Sequence, residues 1–366
     1  MSPMTSPTKQ SNAEASPTPR ADNRWWWRGV AVVGAICVVL LIAELSVRLL
    51  GLGPPIYAPR RFEPNGAIPF IKIPNGPIAY RPNTTFASVY DPAGDTRGYF
   101  GPKGRVTYQI NRFGLRGSAV SVPKPAGTYR VVCLGDSLTF GEGVKYADTY
   151  PARLQARLAA AMPNRKVQVI NAGVQTYNTA DEAALYLLRC AQFRPDVVTL
   201  GFYLNDATDS RKTVQQHDEW TRAWKLSPLA HVSRLWEIFE RARHARRLQD
   251  RFIATTRASF ESSHWTECKT VLRGMRRVAR EDGFRFVVVV FPVFWNLDGT
   301  YPFADIHEKI DAACRQADIE CLDLLETFRR RPAESLWAHP TDRHPNEIAH
   351  RLAAERIGRY LLGAKE

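Results

Sequence analysis

The sequence predicts a three-layer α/β/α fold, a doubly wound parallel sheet with helices on both faces, and three observations predict it. Short apolar, β-branched runs recur over residues 129–134, 167–170, 196–203, 284–291 and 319–324, each of a length suited to a buried strand. Amphipathic helical stretches at 150–162, 265–281, 304–317 and 347–362 alternate with them. Such alternation implies crossover connections and hence parallel strands. Polar turn residues close the first three runs: Gly135-Asp136, Asn171 and Asn205-Asp206. A chain of 366 residues is long enough for one sizeable core with appendages.

From the N-terminus, residues 1–24 are rich in Ser, Pro, Thr, Lys and Asn and almost free of aliphatic side chains, so they read as a disordered cytoplasmic tail. Residues 25–50 read as a transmembrane anchor. Trp25, Trp26 and Trp27 suit an interfacial belt, and the apolar run continues through Ala43 to the Glu44–Arg48 pair. The stretch approaches the ~20 residues that cross a bilayer. Ala43 is not followed by a small-x-small cleavage pattern, which favours an uncleaved anchor over a signal peptide. Arg20, Arg24 and Arg28 precede the span and Arg48, Arg60 and Arg61 follow it. The positive-inside rule leans to a cytoplasmic N-terminus, a single-pass protein of the inner (plasma) membrane, and an extracytoplasmic C-terminal part. Residues 51–125 form a lead-in rich in Pro, Gly and aromatics, with an edge strand at 106–110, that packs on the domain following it.

That domain covers 126–366. Its first strand runs into Gly135-Asp136-Ser137-Leu138-Thr139, and open α/β sheets place their ligands at the carboxyl ends of strands. Gly135 permits a tight turn, and the helix after it offers free N–H groups beside the Ser137 hydroxyl. By itself this fits a helix N-cap equally well. Three further blocks change the balance: Asn171-Ala172-Gly173 through Asn178, Leu204-Asn205-Asp206, and Pro340-Thr341-Asp342-Arg343-His344-Pro345-Asn346 before the last helix. A serine nucleophile needs an adjacent base oriented by a third group. His344 is the candidate base, and Asp342, two residues before it in an extended segment, points the same way.

The four blocks, in this order, resemble the SGNH or GDSL family of hydrolases, over about residue 129 to the C-terminus. The resemblance implies five strands in flavodoxin-like order and a catalytic set of Ser137, His344 and Asp342. It also implies an oxyanion hole of the Ser137 N–H, the Gly173 N–H and the Asn205 amide, with Asp136 and Asp206 in support, and no metal or organic cofactor. Glycine at 173 suits an N–H that approaches substrate closely. The chain departs from the family pattern in three places. Its acid stands two residues before the histidine rather than three, where Thr341 lies. Tyr203 replaces a glycine in the third block, and Thr176 stands where a second glycine is frequent. Both larger side chains narrow the pocket.

The reading is a serine esterase hydrolysing small acyl esters, acetyl above all, of a carbohydrate or lipid at the cell surface. One alternative is an O-acyltransferase acting on a surface polysaccharide beside a membrane acyltransferase partner. Another is a non-catalytic glycan- or lipid-binding module. Residues 209–263 form a helical insertion directly after the third block, suited either to a lid or to plain packing. The net charge of +14 is spread over Arg-rich helices with neither a nucleic-acid motif nor aromatic interleaving, so no nucleic-acid partner is expected; anionic lipid or an acidic glycan suits the charge better, and most of these arginines read as plain solvated helix faces. His217, His231, His244, His264 and His307 have no carboxylate partner within a motif, while His339 ends a strand or turn and His350 is a packed side chain. Asn346 is the N-cap of the last helix. Cys314 and Cys321 flank a helix-to-strand turn where an oxidising compartment permits pairing.

Overall fold

The computed structural model describes residues 24–53, 55–66, 69–208 and 225–363. Apart from Arg24, the expected tail lies outside the described residues, as do residues 209–224 of the insertion and His217. Two compact units are distinguished, one of residues 1–54 with 226–243 and one of residues 55–225 with 244–366.

In the larger unit, Thr128–Gly135, Lys166–Gly173, Val197–Phe202, Arg285–Val290 and Glu320–Asp323 make one sheet in which every neighbouring pair is parallel. Numbered one to five along the chain, they lie side by side as 5-4-3-1-2. This is the flavodoxin-like order, and its switch point falls beside the first strand. The central strands are continuous apolar runs because both faces are covered. Val131, Val132, Cys133 and Leu134 are buried, as are Val287, Val288, Val289 and Val290. Each fully buried Val or Leu side chain contributes about 1.5–3 kcal/mol by leaving water. The helix Tyr150–Ala161 packs on Glu347–Leu361, and Thr179–Leu185 packs on Ser263–Asp282. Asn346 caps Glu347–Leu361 by accepting from Ile348 N and Ala349 N, each at 3.0 Å.

The lead-in carries more structure than one strand. Arg61–Pro64, Thr85–Val89 and Arg105–Gln109 form an antiparallel sheet with Arg105–Gln109 at an edge, and Phe70–Lys72 pairs with Ile78–Tyr80. Alternation along Arg105–Gln109 turns Val106 and Tyr108 inward. The rings of Tyr80, Phe86 and Tyr108 pack on Phe140, whose centroid lies 4.9 Å from that of Tyr80. Bridges from Ile110 to Arg116 and from Arg116 to Asn171 carry the pairing on to the strand Lys166–Gly173. The thiols of Cys314 and Cys321 are free.

In the smaller unit, the helix Arg24–Leu49 is long and apolar enough to cross a membrane, with a mean hydropathy of 2.7 and none of its most apolar stretch buried. The Glu44 carboxylate pairs with Arg48 and also accepts from Arg234 N at 2.8 Å, Leu235 N at 2.9 Å and the Ser233 hydroxyl at 2.9 Å. It therefore satisfies the orphan donors at the start of the helix Arg234–Ser259.

Candidate active site

The turn from the first strand into Ser137–Phe140 demands glycine. Gly135 has a φ of +153°, and a Cβ there would lie 2.0 Å from Thr139 Oγ1. Asp136, not Ser137, is the cap: its Oδ1 accepts from Leu138 N at 2.9 Å. The Ser137 hydroxyl is thereby left to another partner, His344, whose Nε2 is 2.9 Å from Ser137 Oγ. The other ring nitrogen, Nδ1, is 2.5 Å from Asp342 Oδ1, which also accepts the His344 N–H at 3.1 Å.

The strand Asp342–Pro345 pairs antiparallel with Trp337–His339, and extended geometry puts residues 342 and 344 on one side of it. Thr341 turns elsewhere: its hydroxyl is 2.8 Å from Nδ1 of His339. Burial by itself would raise the Asp342 carboxyl. The charge and hydrogen bond of His344, the Arg60 cation and the Tyr90 hydroxyl outweigh it and hold Asp342 well below the usual carboxylate range. Burial likewise would lower the His344 imidazole, but the Asp342 charge and hydrogen bond, with Glu142 behind them, raise it above its ordinary 6.5. Asp342 therefore stays ionised and accepts the Nδ1 proton, which leaves Nε2 as the acceptor facing the serine.

Asn205 lies in the turn Leu204–Ala207 after the third strand and donates from Nδ2 to Asp136 Oδ2 at 3.1 Å, so its second amide hydrogen remains available. The Ser137 N–H has no partner among the described residues. Gly173 differs from the expectation. Its N–H is donated to Asn171 Oδ1 at 3.0 Å, and a Cβ on Gly173 would meet Phe140 N at 2.1 Å. Glycine is required there because the helix Ser137–Phe140 lies directly against it, not because substrate approaches. Thr176, where the family favours glycine, has a φ of +66°, the left-handed conformation that glycine adopts freely.

The two supporting carboxylates are structural in their contacts. Burial pushes Asp136 up to about 6 despite its hydrogen bond from Leu138. Asp206 accepts from Tyr203 N at 2.6 Å and from the Thr179 hydroxyl at 3.2 Å, and burial with the Asp136 charge raises its pKa well above the usual range. Beside them Glu182 is fully buried with both oxygens unpartnered, and burial together with Asp206 and Asp136 raises it too. Among the other histidines, His350 Nδ1 accepts from Tyr150 N at 3.1 Å, and burial lowers its pKa to about 3. His307, which has no carboxylate partner within a motif, finds one outside any motif. Its Nδ1 is 2.9 Å from Asp323, while its Nε2 faces Tyr301 rather than a serine. The partner arrives from a separate element, the edge strand Glu320–Asp323, so motif reading could not find it. Among the described residues no group of three or more His, Cys, Asp or Glu side chains is arranged to hold a metal ion.

Sequence reasoning also missed Arg60, Tyr90, Ser88 and Tyr108 of the lead-in, and Glu142 just beyond the nucleophile block. Glu142 Oε1 pairs with Arg60 and accepts from Ser88 Oγ at 3.1 Å, while the Tyr108 hydroxyl lies 3.4 Å away. The lone sequence signal was Glu142 itself, an acid embedded among glycines at 141 and 143.

Fold and site together define an ester-bond hydrolase. The chain belongs to the GDSL-like lipase/acylhydrolase family, whose pattern matches residues 133–352. No curated protein matches the sequence. Among solved structures, the chain is similar to a two-domain esterase active on acetylated mannans, at 16% identity and a TM-score of 0.42, over 65% of this chain and 50% of that one. It thus spans about half the length of that protein. A variant of Axe2, an acetyl-xylooligosaccharide esterase from a Geobacillus, matches at 14% identity and a TM-score of 0.42 over 65% of this chain and 95% of that one. The acetyl xylan esterase AlAXEase matches at 16% identity and a TM-score of 0.39 over 63% of this chain and 99% of that one.

Proposed function

We propose that the chain is a serine esterase for small acyl esters of a carbohydrate or lipid, held at the extracytoplasmic face of a membrane by the helix Arg24–Leu49. The observation that carries the chemistry is the continuous line from Ser137 Oγ through both His344 nitrogens to Asp342 Oδ1. Ser137 Oγ attacks the ester carbonyl and gives its proton to His344 Nε2. The tetrahedral oxyanion rests on the Ser137 N–H and the Asn205 amide. The Gly173 N–H, committed to Asn171, is not one of its donors. As the carbon–oxygen bond to the alcohol breaks, His344 returns its proton to the departing alkoxide. Water then attacks the acyl-enzyme, His344 takes a proton from it and passes that proton to Ser137, and the carboxylic acid leaves.

A small acyl group follows from Tyr203, whose larger side chain stands in the third block where the family has glycine and packs against the core at the start of the turn that carries Asn205. The test is turnover of an aryl acetate and an aryl octanoate by the full-length protein, with Ser137→Ala and His344→Ala alongside. Each variant should lose about 10⁴-fold or more in kcat while melting like the parent, and acetate should be the preferred acyl group. A folded Ser137→Ala protein that still turns over would end the serine reading. A preference for octanoate would end the small-acyl one.

A further inference from the structure

The acid of the proposed set has a second oxygen, and its surroundings come from outside the family match at 133–352. Tyr90 donates to Asp342 Oδ2 at 2.8 Å, and the Arg60 guanidinium lies 3.8 Å from the same oxygen. Arg60 also pairs with Glu142, a carboxylate that is 1% exposed. Tyr90 is held by its ring, 4.5 Å from that of Phe100 and nearly parallel to it. Both residues flank the antiparallel lead-in sheet, Arg60 just before Arg61–Pro64 and Tyr90 just after Thr85–Val89.

We propose that Arg60 and Tyr90 are positioning residues that complete the acid–base pair, fixing the Asp342 carboxylate and setting the basicity of His344 from the lead-in. The inference rests on the serine esterase reading above. The charged and titratable groups facing His344 and Asp342 are Asp136 and Glu142 from the loops around the nucleophile helix, Arg60 and Tyr90 from the lead-in, and His350 from the last helix. Arg60 is the cation that offsets the two carboxylates raising the imidazole, Asp342 and Glu142. Its removal stabilises the imidazolium, and so does removal of the Tyr90 hydroxyl, which otherwise draws charge from Asp342. Both changes raise the pKa of His344. Since the base must be neutral to take the serine proton, both push the acid limb of the kcat/KM profile to higher pH.

The experiment compares pH profiles of the full-length protein with Tyr90→Phe, Arg60→Gln, Arg60→Lys and the pair Arg60→Gln/Glu142→Gln. The paired variant covers the case in which Glu142, buried without its cation, prevents folding. Tyr90→Phe keeps the ring packing and should lose roughly tenfold in kcat with KM unchanged and an acid limb raised by about 0.5 pH unit. Arg60→Gln should raise the limb by about 0.5–1 pH unit, and Arg60→Lys should restore the parental value. The paired variant loses Arg60 and Glu142 together, so its limb should lie between the parent and Arg60→Gln. Loss of activity with a profile superimposable on the parent in every folded variant would reduce both residues to packing and overturn the inference. Ser137→Ala, run in parallel, separates that failure from failure of the serine reading, because it must be inactive at every pH for the limb to report on His344.

Discussion

At Asp342 a nearly buried carboxylate keeps its charge because each oxygen is matched, Oδ1 by His344 and Oδ2 by Tyr90 and Arg60. Its spacing from the histidine departs from the commoner family pattern, yet an extended strand brings residues two apart to the same side, so the shorter spacing closes the pair without a loop between them. Thr341, at the commoner acid position, is occupied with His339. Asp342→Asn should therefore cost up to ~10⁴ in kcat, while Thr341→Ala should stay within a few-fold of the parent. Steady-state kinetics on both settles the ranking, and the reverse order would move the acid elsewhere. The raised imidazole places the acid limb above pH 6.5, so activity falls as pH drops through it.

The helix Ser137–Phe140 is too short to stabilise itself, and its last carbonyls need outside donors. Asn171 and Arg116, 1% exposed, supply them: Asn171 Nδ2 donates to the Thr139 carbonyl at 2.9 Å, and the Arg116 guanidinium donates to the Phe140 carbonyl and, just past the helix, to those of Gly141 and Val144, each at 2.6 Å. It lies over the rings of Tyr108 and Phe140 at 4.8 and 4.7 Å, which recovers part of the cost of burying the charge. A planar fork holds its donors apart in fixed directions and so reaches separated carbonyls, whereas an ammonium offers its three donors from a single point. Arg116→Leu should lower stability by about 3 kcal/mol, and Arg116→Lys should recover little of it in chemical denaturation. A lysine variant with the parental midpoint would show that charge, not the fork, is what the helix requires.

For the whole chain, the large question is where it works. The helix Arg24–Leu49 has the length and composition of a span, and its Glu44 is engaged by the start of Arg234–Ser259 rather than left at a rim. The full-length protein should remain with membranes through a high-salt wash, and a reporter active only outside the cytoplasm, fused after Glu366, should be active. A shortened soluble product would make the helix a cleaved signal, and a silent reporter would reverse the topology.

Much of this molecule was readable in one dimension because the relevant information is local. Strand runs are continuous where both faces are buried, Asn346 announces its helix by side-chain chemistry, and each of the four blocks is a contiguous stretch whose order survives folding. The lead-in sheet was harder to read, since its strands are short and broken by Pro and Gly, and their pairing depends on partners far along the chain. The role of Gly173 was misread for a related reason: a glycine that admits substrate and one that admits a neighbouring helix look alike until Phe140 is seen against it. Arg60, Tyr90 and Glu142 carry no motif at all. Arg60 and Tyr90 meet Asp342, and Glu142 meets Arg60, because an antiparallel sheet packs behind the nucleophile helix, and electrostatic influence follows distance in space, which residue spacing along the chain does not encode.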